Sequence, residues 1–505
     1  MHIIEEFEKE KEEYNFASFN DLLLRMRDDL VDNPIEFEEV LVDEYQDTNT
    51  LQISLIDTLN PKSLFCVGDY DQSIYAFNGA NIENISTFTT RYSGAEVFTL
   101  KTNYRSTASI LSLANRVIER NERIYPKKLE VSRVGNSYPP RLLNYNELFE
   151  QYKDIAFKIK KSHTPNDDIA VIFRNNSSAD GIEASLREAG IPCRRKGGKS
   201  FFEAREIKFL LDLMSLIVNP KDMMAFIHIF EFAKGIGSAL SKEFFQSLTH
   251  FGENNLLKGL LSPTILTLPK LNPHKNRQLG LFDDDLEIGS ASRFISLGLS
   301  QYIMKHPLLK HPRLNRDGAV FFEEYYKLMS AIKNYKNPST ILQRAISSDL
   351  YKVIIEILST QRAQLKSGEV DKNKKEQSKE RIERKALLLL ELASHYNDLD
   401  RFVNAMVLGG SELSEGNGVN LLTVHASKGL EFKDVYVVDL MDNRFPNRKL
   451  MSRGGSIEEE RRLFYVAVTR AKDRLFLSMA KKDIIKKIDF EPSLFLSEAG
   501  LVKEK

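Results

Sequence analysis

Cysteine is nearly absent: Cys66 and Cys193 are the only two in 505 residues. Two thiols so far apart supply neither a disulfide framework nor a metal-ligand cluster, and their scarcity fits a reducing compartment. An excess of either charge is missing too, since 71 Lys and Arg balance 71 Asp and Glu. No global positive field announces a nucleic-acid partner, so any such path must be basic locally. Nothing resembles a membrane span, and the acidic N-terminus MHIIEEFEKEKEEY lacks the basic start and apolar stretch of a secretory signal. A cytoplasmic protein without a membrane partner is the expectation. The remainder, 42% hydrophobic and 28% charged, is ordinary for a globular chain. The length allows about three or four compact units.

Short apolar runs of strand length recur, each followed by polar or glycine-containing residues: 40–42, 64–67, 169–173, 421–424, 435–438 and 475–477. They read as buried parallel strands, with helical patterns between them, and predict α/β structure at both ends of the chain. From about Phe201 to Leu408 the periodicity is helical instead, as in EIKFLLDLMSLI and RIERKALLLLELASHY. An inserted all-α unit follows from that pattern, with loop-like borders at KGGKS and GGSELSEGNG. The doubly charged stretch 366–385 reads as a solvated helix face or a turn.

Chemistry enters with EEVLVDEYQDTN, which sets Asp43 and Glu44 side by side at the end of a strand, where α/β sheets open their ligand crevice. One carboxylate there can hold Mg²⁺, directly or through its waters, while the next polarises an attacking water. The competing reading is a solvated turn in which Asp47 or Thr48 caps the next helix. The stretch SLFCVGDYDQSIYAFNGA repeats strand and polar loop, and adds Gln72, suited to sensing a terminal phosphate. Tyr75 and Phe77 follow, close enough to couple nucleotide state to an aromatic surface for stacked bases, with core packing as the alternative for either ring.

Three further segments complete the set: KTNYRS at 101–106, NLLTVHASKGLEF at 420–432, and EEERRLFYVAVTRAKDRL at 458–475. In content, order and spacing these motifs resemble the UvrD/Rep/PcrA family of superfamily 1 helicases, and GGKSFFEAREIKFLLDLMSLI and KGIG extend the likeness through the helical insertion. The resemblance implies two RecA-like parallel-sheet motor domains with an all-α insertion in the second. It divides the chain into 1–37, a remnant of a helical 1B-like subdomain; 38–103, the C-terminal part of the first motor; 104–200 and 416–490, the two parts of the second motor; 201–415, a 2B-like insertion; and a tail, 491–505. It implies ATP and Mg²⁺ as cofactors, with Asp43 on Mg²⁺, Glu44 activating water and Gln72 at the γ-phosphate. Tyr104 would stack on adenine, Glu431 would lie near the ribose, and Arg105 and Arg470 would reach the γ-phosphate from the second motor. A planar, permanently charged fork suits those posts. His425 and Ser427 would lie near the DNA strand and the hinge between motors; a histidine beside an apolar strand is otherwise usually structural.

The sequence also departs from that family. A glutamine-containing adenine motif and a GxxxxGK[ST] loop should precede Asp43, and neither does. Gly198-Lys199-Ser200 is no substitute, because Cys193 stands where the loop's first glycine belongs. The first motor is therefore expected to be incomplete, with its missing N-terminal segment absent or supplied by another chain, and ATPase activity of the chain alone is in doubt. Phe77-Asn78 also replaces the family's frequent Trp-Arg, and tryptophan is absent throughout. Stacking survives that exchange, whereas one positive charge does not.

The expected function is 3′ to 5′ translocation on single-stranded DNA and unwinding at single/double-strand junctions, in repair or replication restart. A non-catalytic DNA-binding or scaffolding remnant is the alternative; a nuclease-fused relative finds no room after the sixth motif. Within the insertion, Gln278-Leu279-Gly280-Leu281-Phe282 resembles a sliding-clamp-binding peptide, with Gln278, Leu281 and Phe282 as the contacts. The plainer reading is a loop whose Leu281 and Phe282 tuck back onto the helices.

Overall fold

The computed structural model describes residues 2–14, 16–76, 79–123, 127, 129–133, 138–196, 200–269, 290–365, 367–407, 418–452, 454–485 and 487–503. They form two compact units: Met1–Gln151, Ser162–Ser178 and Val419–Lys505 in the first, Tyr152–Lys161 and Ala179–Gly418 in the second. Among the described residues the strands are β1 (Glu39–Val42), β2 (Ser63–Cys66), β3 (Thr102–Asn103), β4 (Glu130–Val131), β5 (Arg141–Glu147), β6 (Ile169–Phe173), β7 (Cys193–Lys196), β8 (Val419–Thr423), β9 (Phe432–Val437), β10 (Ala471–Asp483) and β11 (Ile488–Asp489). All but β7 belong to the first unit.

The main sheet of the first unit runs β5, β10, β9, β6, β8, every one of these pairs parallel. Strand β11 closes back antiparallel on the end of β10. Every residue of β6 is buried, as are Val419 to Leu422 of β8. An uninterrupted IAVIF run is what a strand covered on both faces demands, because neither side meets water. The α/β class expected from the sequence is the one adopted, and five of the six apolar runs end at or within one residue of a strand's end. The last, 475–477, is the middle of the longer β10.

The expectation of buried strands fails at β1 and β2. They pair in parallel, Leu41 opposite Phe65 and Val42 opposite Cys66. Leu41 is nevertheless 68% exposed and Phe65 56% exposed. A two-stranded parallel sheet has an apolar run on each face and needs a layer over both; among the described residues one of its faces is left open.

The second unit is helical apart from β7, as the periodicity predicts, but it takes up Ala179 onwards, earlier than the expected border at 201. Its core is aromatic. Phe226 and Phe230 stack at 4.2 Å, and Tyr325 meets the Phe230 ring edge-on at 5.1 Å. The helices Ser238–Phe251 and Leu256–Leu261 approach until a Cβ on Gly259 would lie 1.7 Å from the Leu248 carbonyl oxygen, so only glycine fits that crossing. The charged stretch after residue 366 is largely the helix Lys372–Ala393, whose first turns face solvent. Ser200 gives its hydroxyl to the buried Glu183, which also accepts from the Phe201 amide at 3.0 Å, an arrangement that suits a structural turn and not a phosphate loop.

Candidate nucleotide site

The chemistry gathers in the first unit at the C-terminal ends of β1 and β2. Beyond Val42 the chain turns sharply: Glu44 takes a left-handed conformation at φ 51°, and its amide donates to Asp43 Oδ1 at 2.8 Å. A non-glycine residue held in that region stores strain, and such strain collects at functional sites. The turn presents both carboxylates to solvent, Asp43 at the strand end and Glu44 beside it.

Gln46, fully buried, ties the two loops together. Its Nε2 donates to the Glu44 carboxylate, and its Oε1 accepts from the Asp69 amide at 2.8 Å. Gly68 leaves room for this, since a Cβ there would stand 2.8 Å from Gln46 Oε1. Asp69 then caps the turn Tyr70–Gln72: its Oδ1 accepts from the Asp71 amide at 3.0 Å and its Oδ2 from Gln72 Nε2 at 2.8 Å. Lys127 pairs with Asp69, and Arg123 with the buried Asp71. Burial, and secondarily the charge of Asp69, raises the Asp71 carboxyl above its ordinary range.

Residues more than 300 positions away close the other side. Lys428 pairs with Asp47, donates to the Gln72 carbonyl at 2.9 Å, lies 3.4 Å from Glu44 Oε2 and sits 5.2 Å from the centre of the Tyr75 ring. Arg462 donates to the Ser73 carbonyl at 2.9 Å. Arg470, 1% exposed, turns toward the same corner. Its guanidinium donates to Val466 O at 3.0 Å, Leu430 O at 3.2 Å, and Gln72 Oε1 and Thr469 Oγ1 at 3.3 Å. Every one of those acceptors is neutral, and Arg470 makes no ion pair among the described residues. Burial, then the nearby charge of Arg105, pushes its pKa down to about 10. Asp69 and Glu44 offset part of that without touching the guanidinium. A buried cation in contact with neutral acceptors alone is better satisfied when an anion reaches it, and the nearby charge of Arg105 favours an anion at the same place.

Arg105 itself donates to Glu431 Oε2 at 2.8 Å, and Lys472 to Glu431 Oε1 at 2.7 Å. Lys472 and Arg105 together hold the Glu431 carboxyl down to about 2, so it is ionised throughout the neutral range. Tyr104, directly before Arg105, is 75% exposed and offers an open ring face. A triphosphate fits this donor set: a ring to stack on, an ionised carboxylate, and the Arg470 guanidinium, which makes no ion pair among the described residues. Among the described residues no group of three His, Cys, Asp or Glu is arranged to hold a metal ion. A magnesium ion at Asp43 would therefore take its remaining ligands from phosphate and water, as Mg²⁺ commonly does.

Seven of the residues expected from the sequence meet around this corner: Asp43, Glu44, Gln72, Tyr104, Arg105, Glu431 and Arg470. Tyr75 is half-buried, its hydroxyl donating to the His425 carbonyl at 3.3 Å. Burial, with the charge of Arg174, pushes the His425 imidazole down to about 4 and keeps it neutral. Ser427 is fully buried, its hydroxyl given to Val424 O at 2.7 Å, so its side chain offers nothing to a DNA strand as it stands. Phe77 lies outside the described residues, as do Gln278, Leu281 and Phe282.

Sequence reasoning missed Gln46, Asp69, Lys428, Arg123 and Lys127. All of the first three lie inside the motif segments; for Gln46 and Asp69, nearness to the candidate residues Glu44 and Gln72 was a usable signal. Arg123 and Lys127 stand in NERIYPKKLE, which carries no pattern of its own.

Comparison with known proteins shows the family. Residues 98–482 match the UvrD-like helicase C-terminal domain, and residues 1–93 the UvrD/REP helicase N-terminal domain. The ATP-dependent DNA helicase PcrA of Leuconostoc citreum is 31% identical over 496 residues, covering 96% of this chain and 59% of that protein. DNA helicase II of Escherichia coli (strain K12) is 29% identical over 513 residues, covering 95% and 62%. PcrA of Bacillus subtilis (strain 168) is 28% identical over 459 residues, covering 88% and 55%. The chain thus spans less than two thirds of the length of these relatives, and on the match of its two domains it belongs to the UvrD-like helicase family.

Proposed function

We propose that this chain is the greater part of an ATP-dependent motor that moves 3′ to 5′ on single-stranded DNA and unwinds duplex at single/double-strand junctions. The observation that carries the reading is Arg470: a buried guanidinium with only neutral acceptors, beside Gln72 and Glu44, is a charge waiting for a phosphoryl group. Tyr104 would stack on the adenine and Glu431 would take the ribose hydroxyls. Asp43 would hold Mg²⁺, which when bound draws charge from the phosphate oxygens. Glu44 would accept the proton of the attacking water, and Arg105 and Arg470 would meet charge as it develops on the phosphate. Tyr75 and Phe77 belong to a base-stacking track, which suits translocation because stacking is nearly indifferent to base identity. Its setting in this reading is the cytoplasm, in repair or replication restart.

No segment of the 505 residues carries a phosphate-binding loop. The open face of β1 and β2, at whose ends the carboxylates sit, is where an α/β segment bearing such a loop would lie, as part of the same polypeptide or as another chain. The test is single-strand-stimulated ATP hydrolysis by the pure chain, alone and with the part of the L. citreum PcrA that precedes its matched stretch. Little or no turnover is expected alone, and restoration with the added segment. Robust turnover by the chain alone removes the need for a loop. Firm DNA binding with no turnover under any complementation leaves the second reading, a non-catalytic DNA-binding remnant, which the absent loop favours.

The peptide 278–282 is proposed to bind the sliding clamp, with Leu281 and Phe282 as anchors and Gln278 fixing orientation. Titration of the peptide against purified clamp should give saturable binding. Replacing Leu281 and Phe282 by Ala should remove it; unchanged binding returns the stretch to an ordinary loop.

A further inference from the structure

Gln72 has one amide, and both ends of it are held. Its Nε2 donates to Asp69 Oδ2 at 2.8 Å, and its Oε1 accepts from Arg470 at 3.3 Å. Reversing the amide would press its oxygen against a carboxylate and its NH₂ against a guanidinium, both repulsive, so the charges on either side select one orientation. Asp69 is in turn fixed through its other oxygen, which takes the Asp71 amide and pairs with Lys127. Lys127 follows the helix Ala108–Ile118 in the chain, and Arg123 anchors it. The Arg123 guanidinium pairs with Asp71 and donates to the Lys127 carbonyl at 2.8 Å.

We propose that Lys127 and Asp69 are positioning residues for the hydrolytic step, setting the Gln72 amide so that it enters the reaction as an acceptor for the attacking water and not as a donor to phosphate. The inference rests on the reading of the site as an ATPase. With one Nε2 hydrogen held by Asp69, the amide is oriented with Oε1 toward Arg470; when Arg470 turns to the γ-phosphate, that oxygen is released. Glu44 lies close by, since Lys428 touches both Glu44 Oε2 and the Gln72 carbonyl. A water has two hydrogens to place. One passes to Glu44 as the water oxygen bonds to the γ-phosphorus and the bond to the departing ADP breaks. The other, held by Gln72 Oε1, stays on the phosphate product. Fixing both hydrogens aims the lone pair at phosphorus, which is positioning work.

The first test needs no turnover. Denaturant unfolding of the full chain is compared for Lys127→Met, Gln72→Ala and the pair, with Asp69 intact and in an Asp69→Asn background. Among the described residues Asp69 is the side chain that Lys127 and Gln72 share, so their losses should fall short of additive when Asp69 is present and approach additivity when it is replaced. The second test uses the chain complemented with the L. citreum segment. Lys127→Met should lower kcat about ten- to a hundredfold, the range typical of outer-shell orienting groups. The KM for ATP should stay within about twofold. Lys127→Arg, which keeps the charge, should restore most of the rate. Additive losses in both backgrounds, or a wild-type kcat in Lys127→Met, overturns the inference. A complemented wild type without turnover defeats the ATPase reading instead, and the unfolding cycle then decides alone whether Lys127 orients Gln72.

Discussion

Arg470→Ala, in the chain complemented to hydrolyse ATP, is expected to lower kcat by about 10³ to 10⁵, the range for arginines that meet the transferring phosphoryl group. The size follows from what surrounds the side chain. Its acceptors are three carbonyl oxygens and a hydroxyl, and the carboxylates of Asp69 and Glu44 act on it only from a distance, without an ion pair among the described residues. Such a guanidinium contributes little to the resting protein and much to a state in which negative charge appears beside it. The substitution should therefore leave the unfolding midpoint unchanged or slightly higher, because a buried charge without a partner is removed. Binding of single-stranded DNA should hardly change. A variant that hydrolyses ATP near the wild-type rate would take Arg470 out of the active site; one that melts well below wild type would make it a structural group.

Glu44→Gln is expected to lower hydrolysis about 10²- to 10⁴-fold, as loss of a general base does, with nucleotide binding retained. The exchange spares the scaffold. Glutamine keeps the side-chain length, can adopt the same left-handed turn at similar strain, and still offers an oxygen to Gln46 Nε2. What it loses is the capacity to take a proton and the attraction for Lys428, 3.4 Å away. Fluorescent nucleotide titration beside steady-state hydrolysis separates the two functions. Loss of both together points to misfolding at the β1 turn, and retention of hydrolysis moves the base elsewhere.

Much of this site was legible in the sequence because its parts are local. Asp43 with Glu44, and Gln72 after its strand, are read from spacing within a dozen residues, and the apolar runs before them set the strand ends. Connections across the chain were not legible. Arg470 meets Gln72 across 398 positions and Lys428 meets Asp47 across 381, and no periodicity encodes which cation finds which carboxylate. Burial of Ser427 escaped for a similar reason: a serine in a polar loop looks available until the helix Ile457–Val468 and the strands are placed around it. Strand β5, RLLNYNE, alternates only weakly and was passed over; its pairing with the long β10 supplies what its own pattern lacks. The helical period from about Phe201 onward is legible in the sequence, whereas the compact unit that holds those helices also takes in segments before Phe201, which no local pattern marks.

The open side of β1 and β2 bears on how this polypeptide behaves in a tube. Leu41 and Phe65 face each other in register with Val67 beside them, all exposed, on strands with unfilled backbone edges. An apolar, flat edge of that kind is a template for pairing with the same segment of another molecule, and neither β1 nor the exposed stretch of β2 carries a lysine or a proline to prevent it. Concentrated solutions of the chain should therefore be held back by self-association long before any unfolding, and the residues that drive it lie on the strands whose ends carry Asp43 and the candidate loops.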